Sequence, residues 1–571
     1  SYTSAIYNSG SGKIILGENE GGVPSQKNPK ITGTKYGVYN ASSTCEFDFY
    51  DGIITGLEGQ SIYGKVTEIP EDYIIQKYKT NEKEGIEVAD GMESAVLEQI
   101  NVVELVSTGT GYPSIRKAIN ASDSTDTIRV IKNFEIAQTE ETVEISTGKN
   151  ITLDINGKIV TASNDNTITN NGIFNIVDTA EESGSLTSNY GTLITDNENS
   201  VLNINSGDIN LVLASSKNLI NNNGTVNING GTITISASES KAINNTGDVV
   251  INSGEISTTA SYSKCIYNKG KVTIKGGAIK KSNTNYGAAI DNYNELYIEG
   301  GEISNSSGNA IENYVEKELI GKIKMTGGKI TANSRGIYNN KNAEIEIIDG
   351  QINSNGYGIY NYANGKIKIA GGVIDSNNAA VYNYNGTTGG VLEISGGKLT
   401  SSKYAVIYNR EMNENKVTVR ITGGEIECTN TTYNKSYPGY TSAIYNEGYN
   451  EVILGENNQE LPNVESPRLI GTLYGVYNDN SNCKFNFYDG VITGQEGNSI
   501  YGKVTDVPDE YVIQRYKNGE NENLEVASGQ ESAILEQVDI FKVESTQNTY
   551  RYLKEAVENS SENDTISVIK N

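Results

Sequence analysis

An asparagine standing two residues after an isoleucine or valine recurs along most of this chain, and this recurrence limits the fold more than any other feature. The series runs through Asn170, Asn222, Asn245, Asn268, Asn292, Asn313, Asn339, Asn361, Asn383, Asn409, Asn446 and Asn478, with Asp196 filling one place. Spacings are mostly between 21 residues (Asn292 to Asn313) and 26 (Asp196 to Asn222). A period in the twenties marks a solenoid, in which each repeat buries its apolar face only against its neighbours. Within the repeat at 264–279 the alternation is strict: Ile266 and Asn268 face one way and Tyr267 the other, while Val272 and Ile274 oppose Thr273 and Lys275. A period of two means strand, which excludes helical solenoids, and no leucine consensus supports a leucine-rich repeat.

The same repeat reads Ile-x-Asn, a glycine-bearing turn, Val-x-Ile, Gly-Gly and x-Ile. Three short segments per turn predict an all-β fold, a right-handed parallel β-helix with three strands per rung and rungs pairing in register at ~4.8 Å. All eight prolines lie outside 114–437, where every strand is central and needs its N–H. Pairs such as Gly276-Gly277 and Gly300-Gly301 supply the positive φ of a corner. The asparagines from Asn222 to Asn446 are expected to stack as a hydrogen-bonded ladder at strand ends, with a structural role rather than a ligand-binding one.

The chain has 571 residues, 71 acidic against 45 basic, and a formal charge of −26. That balance argues against nucleic acid or an anionic membrane as partner. No stretch approaches the roughly 18 consecutive apolar residues of a membrane-crossing helix. Abundant Asn, Ser, Thr, Gly and Tyr suit an extracellular β-solenoid. Cys45, Cys265, Cys428 and Cys483 are expected to be free, mostly buried thiols.

A second, longer repeat overlies the first. Residues 1–133 return at 439–571 without a gap, each displaced by 438: Cys45 as Cys483, Pro70 as Pro508, Tyr112 as Tyr550. The expected organisation is closing rungs of one unit at 1–64, a connector at 65–111 and a β-helix unit at 112–502 with a capping helix near 113–120. A second connector follows at 503–547, then the cap and first strand of the next unit at 548–571. The chain opens mid-rung without a methionine, so units are expected to continue in both directions. Inside the first connector, antiparallel strands at 73–78 and 86–88 are predicted, joined by a charged turn. Ile115, Ala118 and Ile119 have helical spacing, with Pro113 as an early-turn proline; in the second copy Thr549 is the expected N-cap.

The helix, the segment Asp126-Thr127-Ile128-Arg129-Val130-Ile131 and the Gly-Gly-x-Ile rungs together resemble the pectate-lyase-like right-handed β-helix superfamily. More narrowly, Phe49-Tyr50-Asp51-Gly52-Ile53-Ile54-Thr55-Gly56 and Ile69-Pro70-Glu71-Asp72-Tyr73 are similar to segments of large tandem-repeat surface proteins of clostridia-type bacteria. The Ala-Ile-Tyr-Asn rungs are similar to those of bacterial β-helical adhesins. The resemblance implies a cell-surface stalk, adhesin or fibre.

A polysaccharide lyase or hydrolase on the same scaffold is the remote alternative. The chain has no histidine, which excludes sites built on that residue. Arg335 and Arg410 stand alone at rung corners, with no loop bringing them to converging carboxylates. We therefore expect no enzyme, no cofactor and no metal site. The residue between Ile and Asn is tyrosine at Tyr267, Tyr338, Tyr360, Tyr382, Tyr408 and Tyr445, and also at Tyr7, Tyr39 and Tyr477. These rings are expected to line one external face. They would stabilise the sheet by stacking, or offer a lateral contact between rods or a track for a glycan. The expected function is structural, a long fibre, filament or stalk that self-associates end to end; the alternative is an adhesin using the tyrosines.

Overall fold

The computed structural model describes residues 3–18, 23–70, 72–79, 86, 89–138, 142–282, 287–384, 390–410, 416–432, 437–456, 462–463, 465–517 and 527–569. The fold is all-β, a parallel β-solenoid with almost no helix. It divides into two units, 1–134 with 149–159, and 135–148 with 160–571.

In the larger unit the Ile-x-Asn segments, from Val143–Ile145 to Ile500–Tyr501, form one 15-stranded parallel sheet. Its register is residue for residue: Ile266 lies opposite Ile290, and Asn268 opposite Asn292. The Val-x-Ile strands Thr225–Ile228, Asp248–Ile251 and Lys271–Ile274 stack in parallel on one another. So do Thr232–Ile235, Glu255–Thr258 and Ala278–Lys281, which follow the glycine corners. Inward residues such as Ile243, Ile251, Ile256, Ile266 and Ile279 are at most 1% exposed. Each contributes about 1.5–3 kcal/mol by burial against the turns above and below. β-Branched residues prefer this extended, half-buried backbone, so propensity and packing agree. Gly277 (φ +73°) shows why the corner needs glycine: an added Cβ would sit 2.6 Å from the Gly254 carbonyl of the turn before. Lys322–Ala332 and Glu344–Ser354 run straight through this corner as single 11-residue strands, with register shifts around Thr326.

In the smaller unit the strands Ser4–Asn8, Tyr36–Asn40 and Ile62–Tyr63 stack in parallel, as do Lys13–Leu16 and Glu46–Phe49. Leu16, Val38, Phe47, Phe49, Ile54 and Leu97 form its core. Strand Tyr73–Tyr78 pairs antiparallel with Glu93–Gln99, not with the predicted segment at 86–88. Ile86 is buried outside any strand, and 87–88 lie outside the described residues. The partner Glu93–Gln99 is fixed from its other side, because Glu93, Ser94, Ala95 and Val96 also pair with Ile53–Gly56 and are buried.

Helix Ile115–Ala121 lies where its spacing predicted, but its N-cap is Ser114, whose Oγ accepts the Lys117 N–H at 3.2 Å; Pro113 precedes the cap. The corresponding helix of the larger unit, Leu553–Glu558, has no side-chain cap bond, and Thr549 instead belongs to the strand Thr549–Tyr550. Cys45, Cys265 and Cys428 are buried free thiols, Cys483 is buried with its Sγ donating to the Asn446 carbonyl at 3.2 Å, and burial pushes the Cys265 thiol up to about 12.

Candidate functional site: the two faces of the 15-stranded sheet

The inner face of the sheet carries the asparagines. Nδ2 of each donates to Oδ1 of the next: Asn222 to Asn245 at 2.7 Å, Asn245 to Asn268 at 2.8 Å, Asn268 to Asn292 at 2.7 Å and Asn292 to Asn313 at 2.8 Å. The chain continues from Asn313 through Asn339, Asn361, Asn383 and Asn409 to Asn446 at 2.8–3.3 Å. Most of these amides are further tied to backbone: Asn268 Nδ2 donates to Glu295 O, and its Oδ1 accepts the Gly270 N–H. All of these residues are buried, so the ladder satisfies amides that water cannot reach. Asp196 breaks it. Its Oδ1 accepts from Asn170 Nδ2 and Ser200 Oγ, both at 2.6 Å, but a carboxylate has no proton to pass on, and Oδ2 has no partner. Burial pushes its pKa up to about 6 against those bonds.

On the outer face the tyrosines touch ring to ring. Centroids lie 5.6 Å apart for Tyr338 and Tyr360, 4.9 Å for Tyr360 and Tyr382, 5.1 Å for Tyr382 and Tyr408, and 4.8 Å for Tyr408 and Tyr445. The stack goes on through Tyr477 to Tyr501 at 5.4 and 4.4 Å. It is less open than the sequence suggested. Tyr382 and Tyr408 are only 5% and 7% exposed, because Tyr357, Tyr384, Tyr440 and Tyr445 pack over them. The short 3-10 helix Pro438–Thr441 brings Gly439 against the Tyr445 ring and Tyr440 against Tyr408. Tyr267, Tyr338, Tyr360 and Tyr445 are half-buried. Nor do the arginines stand alone. Arg335 lies over the Tyr360 ring at 4.4 Å, and Arg410 Nη1 donates to Tyr382 Oη at 3.2 Å. Burial raises the Tyr360, Tyr408 and Tyr445 phenols well above their ordinary range, so they remain neutral.

Two acids interrupt the tyrosines. Asp291 lies opposite Tyr267 on one side and Glu312 on the other, and Glu312 lies opposite Tyr338. The stack bypasses them: Tyr293 and Tyr314, each following a ladder asparagine, continue from Tyr267 at 5.0 and 5.2 Å. Asp291 is buried and accepts from Lys264 Nζ at 2.8 Å, and burial still pushes its pKa up to about 6. Nearby Lys281 is buried too, and burial with the neighbouring Lys264 charge lowers its pKa. This charged group was missed in the sequence, although Asp291 and Glu312 occupy positions where neighbouring rungs carry tyrosine. Lys241, over the Tyr267 ring at 3.8 Å, extends it.

Among the described residues, no helix is long and apolar enough to cross a membrane. No protein-family model, curated protein or solved structure matches this chain, so the family resemblance is carried by the motifs alone.

Proposed function

We propose that this chain is a non-enzymatic structural element of an extracellular or cell-surface fibre, filament or stalk, built from tandem β-helical units of 438 residues with three strands per rung. The observation that carries this reading is the ungapped recurrence of 1–133 at 439–571. A chain that repeats a whole solenoid segment with every spacing kept adds length, and a solenoid has no size at which its core must close. Internal geometry supports equivalence of the copies. Tyr39 and Tyr63 stack at 4.4 Å, as do Tyr477 and Tyr501; Phe47 and Phe49 lie 6.0 Å apart, as do Phe485 and Phe487. Ser61 Oγ donates to Glu93 at 2.8 Å, and Ser499 Oγ to Glu531 at 2.8 Å. In each copy a short helix, Ile115–Ala121 or Leu553–Glu558, precedes the opening strand of a unit and serves as its cap.

The tyrosine stack then serves chiefly to stiffen the rod, with aromatic neighbours on successive rungs adding ~0.2–1 kcal/mol each. Burial of Tyr382 and Tyr408 favours this role over a glycan track, which needs open ring faces. The test is an immunoblot of native material with an antibody raised to this chain, before and after protease treatment of intact cells. A surface-accessible polypeptide far heavier than 61.6 kDa supports tandem units on the outside; an internal, protease-protected band near that mass contradicts them.

A further inference from the structure

We propose that the groove crossing the strands from Glu255–Thr258 to Val373–Ser376 binds a neutral polysaccharide chain. This inference is independent of the rod reading. The groove has a volume of about 660 Å³ and is lined by serine, threonine and asparagine with charge mainly at its margins; no aromatic residue lines it. Ser304, Thr331 and Asn353 lie opposite one another on successive rungs. Asn333 and Asn355 form a second row, joined at 3.0 Å. Hydroxyls and amides are thus offered once per rung, every ~4.8 Å.

Two of these groups are unsatisfied. Thr331 Oγ1 and Asn353 Oδ1 are buried, sit on adjacent rungs and have no hydrogen-bond partner. Each such group costs about 1–3 kcal/mol. A small rotation of either side chain presents it to a ligand hydroxyl, which can both donate and accept. The neighbouring groove, of about 640 Å³, makes the contrast. Most of its charges pair, through Lys324–Glu346 at 2.9 Å, Lys366–Glu344 at 3.3 Å and Lys368–Glu393 at 3.4 Å, and none of its lining side chains has a buried polar atom without a partner.

The lining also selects the ligand class. An added peptide strand has no edge to join, because Lys329–Ala332 is already paired on both sides. A polyanion meets a chain of charge −26, and the Lys280 ammonium at the margin is held by Glu255 at 2.7 Å. A linear, uncharged, hydroxyl-bearing polymer matches both the repeating rows and the missing bonds.

The test is affinity electrophoresis of the 571-residue chain in native gels cast with glucomannan, galactomannan, mixed-linkage β-glucan, amylose or dextran, with polygalacturonate as the charged control. Retardation is expected with at least one neutral polymer and none with polygalacturonate. The double variant Thr331→Val, Asn353→Leu is expected to weaken it at least tenfold while holding or raising the melting temperature, since it removes unpartnered polar groups. If that variant does not fold, the exposed Asn355→Ala is expected to weaken binding alone. Tyr338→Ser is expected to leave it unchanged. The proposal is overturned by no retardation with any neutral polymer, by retardation only with polygalacturonate, by undiminished binding in the groove variants, or by loss confined to Tyr338→Ser.

Discussion

The two ends of the 15-stranded sheet share an inner face and differ on the outer one. Inward, early and late rungs alike bury an aliphatic residue followed two positions later by asparagine, as in Ile220 with Asn222 and Ile407 with Asn409. Outward, the early rungs carry Thr169, Thr195, Asn221 and Asn244, whereas the late rungs carry Tyr338, Tyr360, Tyr382, Tyr408, Tyr445, Tyr477 and Tyr501. Backbone register is the same in both. The inner column therefore sets the solenoid, and the outer column is free to vary with what each stretch of surface must do.

The most damaging change should strike the inner column. Asn361→Leu removes the link between Asn339 and Asn383 and leaves buried partners unmet, including the Gly365 carbonyl. A loss of about 4 kcal/mol is expected, read as faster amide hydrogen exchange in the rungs either side. If exchange is unchanged, the ladder is not what holds those rungs in register.

Next comes the outer column where it is buried. Tyr408→Ala deletes contacts with Tyr382 and Tyr445 and the 2.7 Å bond to Glu447. It should cost about 3 kcal/mol. The early counterpart Thr195→Ala should cost less than about 0.5 kcal/mol, the smallest effect of the set. Equal costs at the two positions would erase the distinction between the ends.

Between these lies Asp196, where the inner column departs from its own rule. Its folded pKa, near 6, exceeds the unfolded value of ~3.9, so the folded state holds a proton that the unfolded state has lost. Stability from this group is therefore fully present below about pH 4, falls as pH rises to about 6, and is flat above. Asp196→Asn restores a donor toward Asn222 and removes the buried charge. It should stabilise by about 2–3 kcal/mol at pH 7 and by little at pH 4. Asp291, also near 6, keeps part of the slope in the variant. Denaturation midpoints across pH 4–8 measure both; a destabilised Asn variant would show that the carboxylate is the preferred occupant.

Much of this was legible in the sequence because solenoid geometry is periodic. Spacing alone placed Asn268 under Asn292 and Tyr360 beside Tyr382, since in a parallel stack equal phase means contact. What was not legible depends on chain outside the period. Tyr440 covers Tyr408 from a turn of no repeating length, so the burial of the outer face could not be read from alternation. Tyr293 and Tyr314 join the stack from the position after asparagine, where the corner and not the strand sets direction. The pairing of Tyr73–Tyr78 with Glu93–Gln99 was not legible because Glu93–Gln99 is placed by its contact with the distant strand Ile53–Gly56, which local alternation does not encode. The groove's unpartnered Thr331 and Asn353 look like any other outward polar residues until their neighbours are in place.

The account stands most directly on electron microscopy of the native, unfractionated material. It predicts a continuous filament with an axial repeat of at least roughly 70 Å, the rise of the about 15 rungs within one 438-residue unit at ~4.8 Å each. Isolated particles of one short length, with no repeat along any axis, would contradict it.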